Sequence, residues 1–149
     1  MSIRFRVATR VDVPKILALY QDDTLGAARE GAKMERYLAA FDAIQVDPDN
    51  TLIVGEREGA VIATYQLTLI PGLTLRATTR AQIEGVRVRS DLRGQGLGAA
   101  MIADAEDRAR AAGCTLLQLT MNASRTDTAR FYQRLGFTPS HIGYKRDLT

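Results

Sequence analysis

Arg93-Gly94-Gln95-Gly96-Leu97-Gly98 runs without a break into Ala99-Ala100-Met101-Ile102-Ala103-Asp104-Ala105-Glu106, and the strand-like stretch Ala81 to Val88 stands just before it. A strand, a glycine-rich turn and a helix start together make an anion site. The first-turn N–H groups of a helix have no intrahelical partner, and the aligned peptide dipoles leave partial positive charge there. Glycines remove the side chains that would hold a phosphate away from those donors. Arg93 adds a fixed positive fork suited to phosphate oxygens. The segment reads as a pyrophosphate cradle.

Two well-known glycine motifs fail on spacing. The phosphate loop of nucleotide hydrolases needs Lys and then Ser or Thr after its last glycine, and here Gly98 is followed by Ala99 and Ala100. The dinucleotide fingerprint needs a two-then-three glycine spacing and an acidic residue at the end of the next strand. Gly94, Gly96 and Gly98 fall on every second residue instead, and Thr115 to Thr120 carries no Asp or Glu.

What remains is Arg-x-x-Gly-x-Gly opening a long helix, which resembles the acetyl-coenzyme A pyrophosphate loop of the GNAT-type N-acetyltransferase superfamily. Ala129-Arg130-Phe131-Tyr132-Gln133-Arg134-Leu135-Gly136-Phe137 is similar to a second block of that family, and Ile83-Glu84-Gly85-Val86-Arg87-Val88 to the strand before its loop. The three blocks stand in the family's order. The resemblance covers the last half of the chain in motif detail and all of it in element order. It implies a single α/β domain over residues 1–149. That domain would have a mixed, mostly antiparallel sheet of six to seven strands, about four flanking helices and a splayed central strand pair. It also implies acetyl-CoA as co-substrate.

Bulk properties agree with one such domain. The 149 residues are 46% hydrophobic and 25% charged, enough for one core and ordinary for a globular chain. No apolar run has the length of a membrane span, and the first residues lack a signal-peptide core. A single cysteine excludes an internal disulfide framework and suits a reducing cytosol, so a cytoplasmic protein is expected. With one cysteine and one histidine, no Cys/His metal site can be assembled. The net charge of +3 is a mild excess without a Lys/Arg tract interleaved with aromatics, which argues against nucleic acid as a partner. Arg87, Arg89 and Arg93 flank the loop, and Arg125 and Arg130 lie near the second block. The alternative for basic positions is a solvated surface.

Ile3, Phe5 and Val7 alternate with polar residues as a first strand. Asp12 suits an N-cap, Pro14 the first turn, and Ile16, Leu17, Leu19 and Tyr20 a helical stripe ended by Asp22 and Asp23. A second helix is expected over Ala28 to Phe41, with Met34, Tyr37, Leu38 and Phe41 on its apolar side. Thr51 to Glu56 and Ala60 to Leu69 read as a hairpin turning at Arg57-Glu58-Gly59, and Pro71-Gly72 breaks the second strand. The helix after the glycine turn runs to about Ala112 with Leu97, Met101, Ala105 and Ala109 as its buried edge, and Gly113 stops it. Cys114 to Met121 is almost wholly apolar, as a strand buried on both faces would be. Asp127 to Leu135 is the last helix, and Phe137 and Ile142 to Asp147 supply the final strands. Exposed late strands leave a homodimer open.

Acetyl transfer from a thioester to an amine needs a neutral amine, a polarised carbonyl and charge or proton uptake at the departing sulfur. Glu84 is the sole acid in its strand. A carboxylate in an apolar strand has raised proton affinity unless paired, which suits a base, and the resemblance implies that role. The alternative is a salt bridge to Arg80 or Arg87. By strict alternation Glu84, Val86 and Val88 share one face, and Ile83, Gly85 and Arg87 the other. The resemblance makes Tyr132 the donor to the leaving sulfur, where the alternative is a core ring. It assigns carbonyl polarisation and pantetheine contact to the main chain of Val86, Arg87 and Val88, and pyrophosphate contact to Arg93, Gly94, Gly96, Gly98 and Ala99. Relatives place an asparagine early in the last helix. Here Arg125, Thr126 and Asp127 stand there, and Asn122 is the substitute. Cys114 reads either as an acyl carrier or as a buried structural thiol.

The reading is an acetyl-CoA-dependent N-acetyltransferase acting by direct transfer to a primary amine of a small molecule or peptide. A non-catalytic coenzyme A-binding sensor or regulatory module is the alternative, for which Glu84 and Tyr132 are dispensable. The resemblance implies that the first two helices and the loop after the third strand wall the acceptor site; these regions offer Asp22, Asp23, Glu30 and Glu35 on one side and Arg76 and Arg80 on the other, with solvated surface as the alternative.

Overall fold

The computed structural model describes residues 2–23 and 30–149. Strands β1 (Arg4–Val7), β2 (Asn50–Arg57), β3 (Ala60–Ile70) and β4 (Arg80–Val88) pair as successive antiparallel neighbours, and β5 (Leu116–Leu119) joins β4 in parallel. Four longer helices are described: α1 (Val13–Gln21), α2 (Met34–Val46), α3 (Leu97–Ala111) and α4 (Thr126–Arg134). The β2–β3 hairpin closes through Glu58 and Gly59, both at positive φ (52° and 78°), the geometry that matches the twist of the flanking strands. The β4–β5 connection must cross over to keep the strands parallel, and α3 makes that crossing.

The sheet is covered on both faces. On one, Met101, Ile102, Ala105 and Ala109 of α3 and Tyr132 of α4 pack on Ile53, Ala63, Tyr65, Leu67, Ala81 and Ile83. On the other, Val13, Ile16 and Leu17 of α1 and Phe41 of α2 pack on Leu52 and Val54. A polar tie crosses the first core. The buried Tyr65 hydroxyl donates to Asp104 (2.6 Å), which also accepts from Arg108 Nε (2.8 Å). The buried edge expected of α3 is the one observed, with Ile102 added.

Several expectations are corrected. The sheet has five strands among the described residues, not six or seven, because residues 137–149 join no ladder. The β4–β5 pair, expected at the centre, therefore lies at the sheet's edge, and its ladder ends at Ile83 and Leu119. β5 is not buried on both faces: it is half-covered, and Leu116 is exposed. The second helix begins at Met34 and runs on to Val46; its expected start at Ala28 lies outside the described residues. Met34 is exposed because it opens the helix, ahead of the turns that reach the sheet. The Asp12 side chain does not cap α1.

Asp12 is instead spent on β1. Its buried carboxylate accepts from Arg6 Nη1 (2.7 Å) and Nη2 (3.0 Å) and from the Thr9 N–H (2.8 Å), while Arg6 Nε reaches Glu56 (2.9 Å). Arg6's hydrogen bonds outweigh burial and hold the Asp12 carboxyl down at about 2. A carboxyl depressed on folding stabilises above its unfolded value and loses that contribution as pH falls through the folded one. Thermal unfolding followed from pH 5 to pH 2 should show this loss. Asp12→Asn should flatten that limb and cost about 2 kcal/mol at neutral pH; an unchanged limb would refute the assignment.

Candidate active site

β4 and β5 pair only from Arg80 opposite Leu116 to Ile83 opposite Leu119. Beyond that point β4 continues to Val88 with no strand beside it on that edge, so a cleft opens from Glu84 onward. The opposite edge of β4 carries an irregularity at the same place. Gln66 faces Glu84 and Thr64 faces Arg87, so Gly85 and Val86 together oppose Tyr65. This is a bulge with glycine in the left-handed region, at φ 60°.

The extra residue overturns strict alternation. Val86 and Val88 pack on the same core as Ile83, whereas Glu84 and Arg87 share the α1 side of the sheet. Glu84 is exposed there, not enclosed in an apolar strand. The main chain of residues 86–88 runs along the open side of the cleft, and the Val86 carbonyl accepts from Arg87 Nη1 (2.9 Å).

β4 leads through the turn Ser90–Leu92 to the glycine segment. Gly94 and Gly96 have φ of 78° and 79°, and a Cβ at either would meet nothing within 4 Å. Gly96 is the N-cap of α3 and no side chain caps the helix. The first intrahelical bond, from the Ala100 N–H to the Gly96 carbonyl, leaves the N–H groups of Leu97, Gly98 and Ala99 for another acceptor. A cradle of this kind fits a diphosphate. Gly98 has a different reason: a Cβ there would stand 2.9 Å from Phe131 Cζ, so glycine lets α4 approach the turn.

α4 places Tyr132 edge-on between Phe131 and Phe137, at ring separations of 5.1 and 5.6 Å. Its hydroxyl makes no hydrogen bond among the described residues. Burial raises the phenol above its ordinary value, and the nearby charges of Arg87 and Arg125 only partly offset this. Asn122 lies between β5 and α4, with its Oδ1 accepting from the Ser124 N–H (2.9 Å) and hydroxyl (2.6 Å). Cys114 is buried and its thiol is pushed up by burial, which suits packing and not nucleophilic chemistry.

The end of α1 is stitched across this cleft. Asp22 accepts from the Ser90 N–H (2.7 Å) and hydroxyl (2.9 Å), and its carbonyl accepts from Arg93 (3.4 Å). Asp23 bridges Arg125 (2.5 Å) and Arg87 (3.4 Å). Burial disfavours the Asp23 charge, yet Arg125, Arg87 and Arg93 outweigh it and lower its pKa. Arg87 also lies over the Tyr20 ring, 5.8 Å from its centre. Burial drives the Tyr20 hydroxyl up to about 12, with Arg87 opposing and Glu30 and Glu84 adding. Tyr20, part of the apolar stripe expected of α1, packs against the core beneath that helix and also carries Arg87 over its ring. Its position next to two aspartates at a helix end was the available signal for a site residue. Arg89 pairs with Asp91, Arg130 with Asp127 and Arg80 with Gln118, while Glu35 and Arg76 stand exposed.

A sequence model of the acetyltransferase (GNAT) family matches residues 13–137. An aminoalkylphosphonate N-acetyltransferase of Salmonella typhimurium is 29% identical over 96% of this chain and 90% of its own. Among solved structures, a transcriptional regulator from Bacillus halodurans is 39% identical with a TM-score of 0.94, covering 99% of this chain and 100% of that one. A predicted acetyltransferase from Clostridium acetobutylicum, determined with acetyl-CoA, shares the fold at 15% identity and a TM-score of 0.76, over 99% and 97% of the two chains. The chain belongs to the GNAT family of N-acetyltransferases, enzymes that use acetyl-CoA.

Gly85→Ala should destabilise the fold by about 1–2 kcal/mol, because the left-handed backbone is strained for alanine and its Cβ would stand 3.2 Å from the Tyr20 hydroxyl. Gly72→Ala, with nothing within 4 Å, is the control. Equal denaturation midpoints for the two variants would remove the argument for the bulge.

Proposed function

We propose that this chain transfers an acetyl group from acetyl-CoA to a primary amine of a small molecule or peptide, by direct transfer while both substrates are bound. The observation that carries this reading is the end of β4–β5 pairing at Ile83, with β4 then leading into an uncapped helix start. The cleft suits a slender pantetheine arm and the helix start suits its diphosphate. Arg93, Gly94, Gly96, Gly98 and Ala99 hold the diphosphate, and Asn122 and the main chain of Val86, Arg87 and Val88 hold the arm.

Acetyl-CoA supplies an already activated thioester. Glu84, directly or through water, takes the proton that the amine nitrogen gives up as it bonds the carbonyl carbon. Main-chain N–H groups of residues 86–88 polarise that carbonyl. Tyr132 donates its proton to sulfur as the carbon–sulfur bond breaks. The products are an amide and a thiol, and solvent returns the proton from Glu84 to Tyr132. An acceptor with an anionic group, as the Salmonella relative's name describes, would compete with Asp23 for Arg87 and Arg125.

The second reading is a regulatory module that binds the coenzyme without catalysis, favoured by the name of the Bacillus halodurans relative. One experiment separates them: release of free thiol with a panel of amines that includes aminoalkylphosphonates and peptides, beside calorimetric titration with acetyl-CoA. Glu84→Gln and Tyr132→Phe should each lower kcat by about 10²-fold or more. The raised Tyr132 phenol stays protonated at neutral pH, so any alkaline loss of rate due to it should fall above the ordinary phenol value. Binding without turnover of any amine favours the regulatory reading. Turnover that neither substitution slows overturns the roles of both residues.

A further inference from the structure

Past the apolar patch that α1 and α2 cover, the same face of the sheet turns polar. Leu52 and Val54 of β2 meet those helices. The positions that share their face further along the ladders are Asn50, Gln66, Glu84, Gln82, Arg80 and Gln118. All are half-buried except Glu84, which is exposed. A sheet face turned to water is expected to be polar. Here, however, the side chains are tied to one another in two short relays that converge on Glu84.

Each relay has a fixed polarity, because its outer end can play only one part. The Asp47 carboxylate only accepts, so Asn50 turns Nδ2 to it (2.7 Å). Asn50 Oδ1 is then the acceptor for Gln66 Nε2 (3.0 Å) and the Thr68 hydroxyl (2.7 Å), which leaves Gln66 Oε1 free. At the other end the Arg80 guanidinium only donates, so Gln118 turns Oε1 to it (3.3 Å). Gln118 Nε2 then donates to Gln82 Oε1 (2.9 Å), which leaves Gln82 Nε2 free. Neither free group has a partner among the described residues. Gln66 stands opposite Glu84 on the neighbouring strand, and Gln82 is one step before it on the same face. Both lie about 5–7 Å from it along the sheet. An acceptor and a donor therefore flank Glu84, each held from behind.

We infer that the acceptor carries a carboxamide beside its primary amine, with the amide N–H donating to Gln66 Oε1 and the amide carbonyl accepting from Gln82 Nε2 while the amine lies at Glu84. This rests on the acetyl-transfer reading above and adds the class of acceptor to it. An amide fits because it offers a donor and an acceptor on two atoms of one carbon. A carboxylate or phosphonate offers acceptors alone and would set its oxygens against Gln66 Oε1 and the Glu84 carboxylate. Arg87 and Arg125, already held by Asp23, are not offered to it. An alkyl group would take water from both free groups and return no hydrogen bond. Gln66 and Gln82 thus determine specificity. Asp47, Arg80 and Gln118 are positioning residues that set which atom each glutamine presents.

The test combines free-thiol release with calorimetric titration of the chain in the presence of coenzyme A. The amines are glycinamide, its apolar isostere isobutylamine, glycine and glycylglycinamide. Expressed per neutral amine, kcat/KM of the wild type should be highest for the two amides. Gln66→Met and Gln82→Met should each reduce the glycinamide-to-isobutylamine ratio about 3–10-fold, the worth of one neutral hydrogen bond. The ratio cancels differences in amine basicity and any general loss of folded protein. Arg80→Met, which leaves Gln118 free to turn its amide over, should reduce the ratio too, through KM. Turnover with a ratio that neither glutamine variant moves overturns the inference and leaves acetyl transfer standing, as does a wild type that prefers isobutylamine or glycine. If no amine is turned over, the acetyl-transfer reading fails and the titration decides. Glycinamide binding that Gln82→Met weakens then supports the amide site, and binding that it leaves unchanged, or none, overturns it. A preference for glycylglycinamide supports the site with a peptide as its source, and a preference for glycinamide supports it with a free amino amide.

Discussion

The site depends on one added residue in β4. With Gly85 and Val86 both opposite Tyr65, the strand changes which face its side chains meet halfway along its length. Upstream, Ile83 seals the core; downstream, Val86 and Val88 resume that task. Between them Glu84 and Arg87 come to lie on the same side as α1, beyond the point where β5 stops pairing. Tyr65, opposite the bulge, is buried and tied to Asp104 and Arg108 of α3. The irregularity is thus anchored to the helix whose N-terminus forms the glycine cradle.

The charged residues at the end of α1 serve a different purpose from the one their composition suggests. Asp22 and Asp23 stand where acids could attract a cationic acceptor, but both are engaged. One holds the turn after β4 and the other links Arg87 to Arg125. Ionised and paired, they fasten the wall of the cleft. Asp23 thereby holds two guanidinium groups that lie near Tyr132.

The glycine turn, the uncapped helix start, the buried edge of α3 and the hairpin at Glu58-Gly59 were all legible in the residues, because each rests on local conformation or a single periodicity. So was the pairing of Phe131 and Tyr132 on the last helix. The facing of Glu84 was not legible, since a bulge breaks alternation without changing composition. The partners of Asp12, Asp22 and Asp23 were hidden for a related reason: a carboxylate's partner is chosen by which distant arginine the fold brings near. The strand expected over residues 142–147 is not formed, and those residues join no ladder. Whether such a strand finds a neighbour is decided by where the chain leaves α4 and by which edge lies within reach, and only the tertiary structure carries that information.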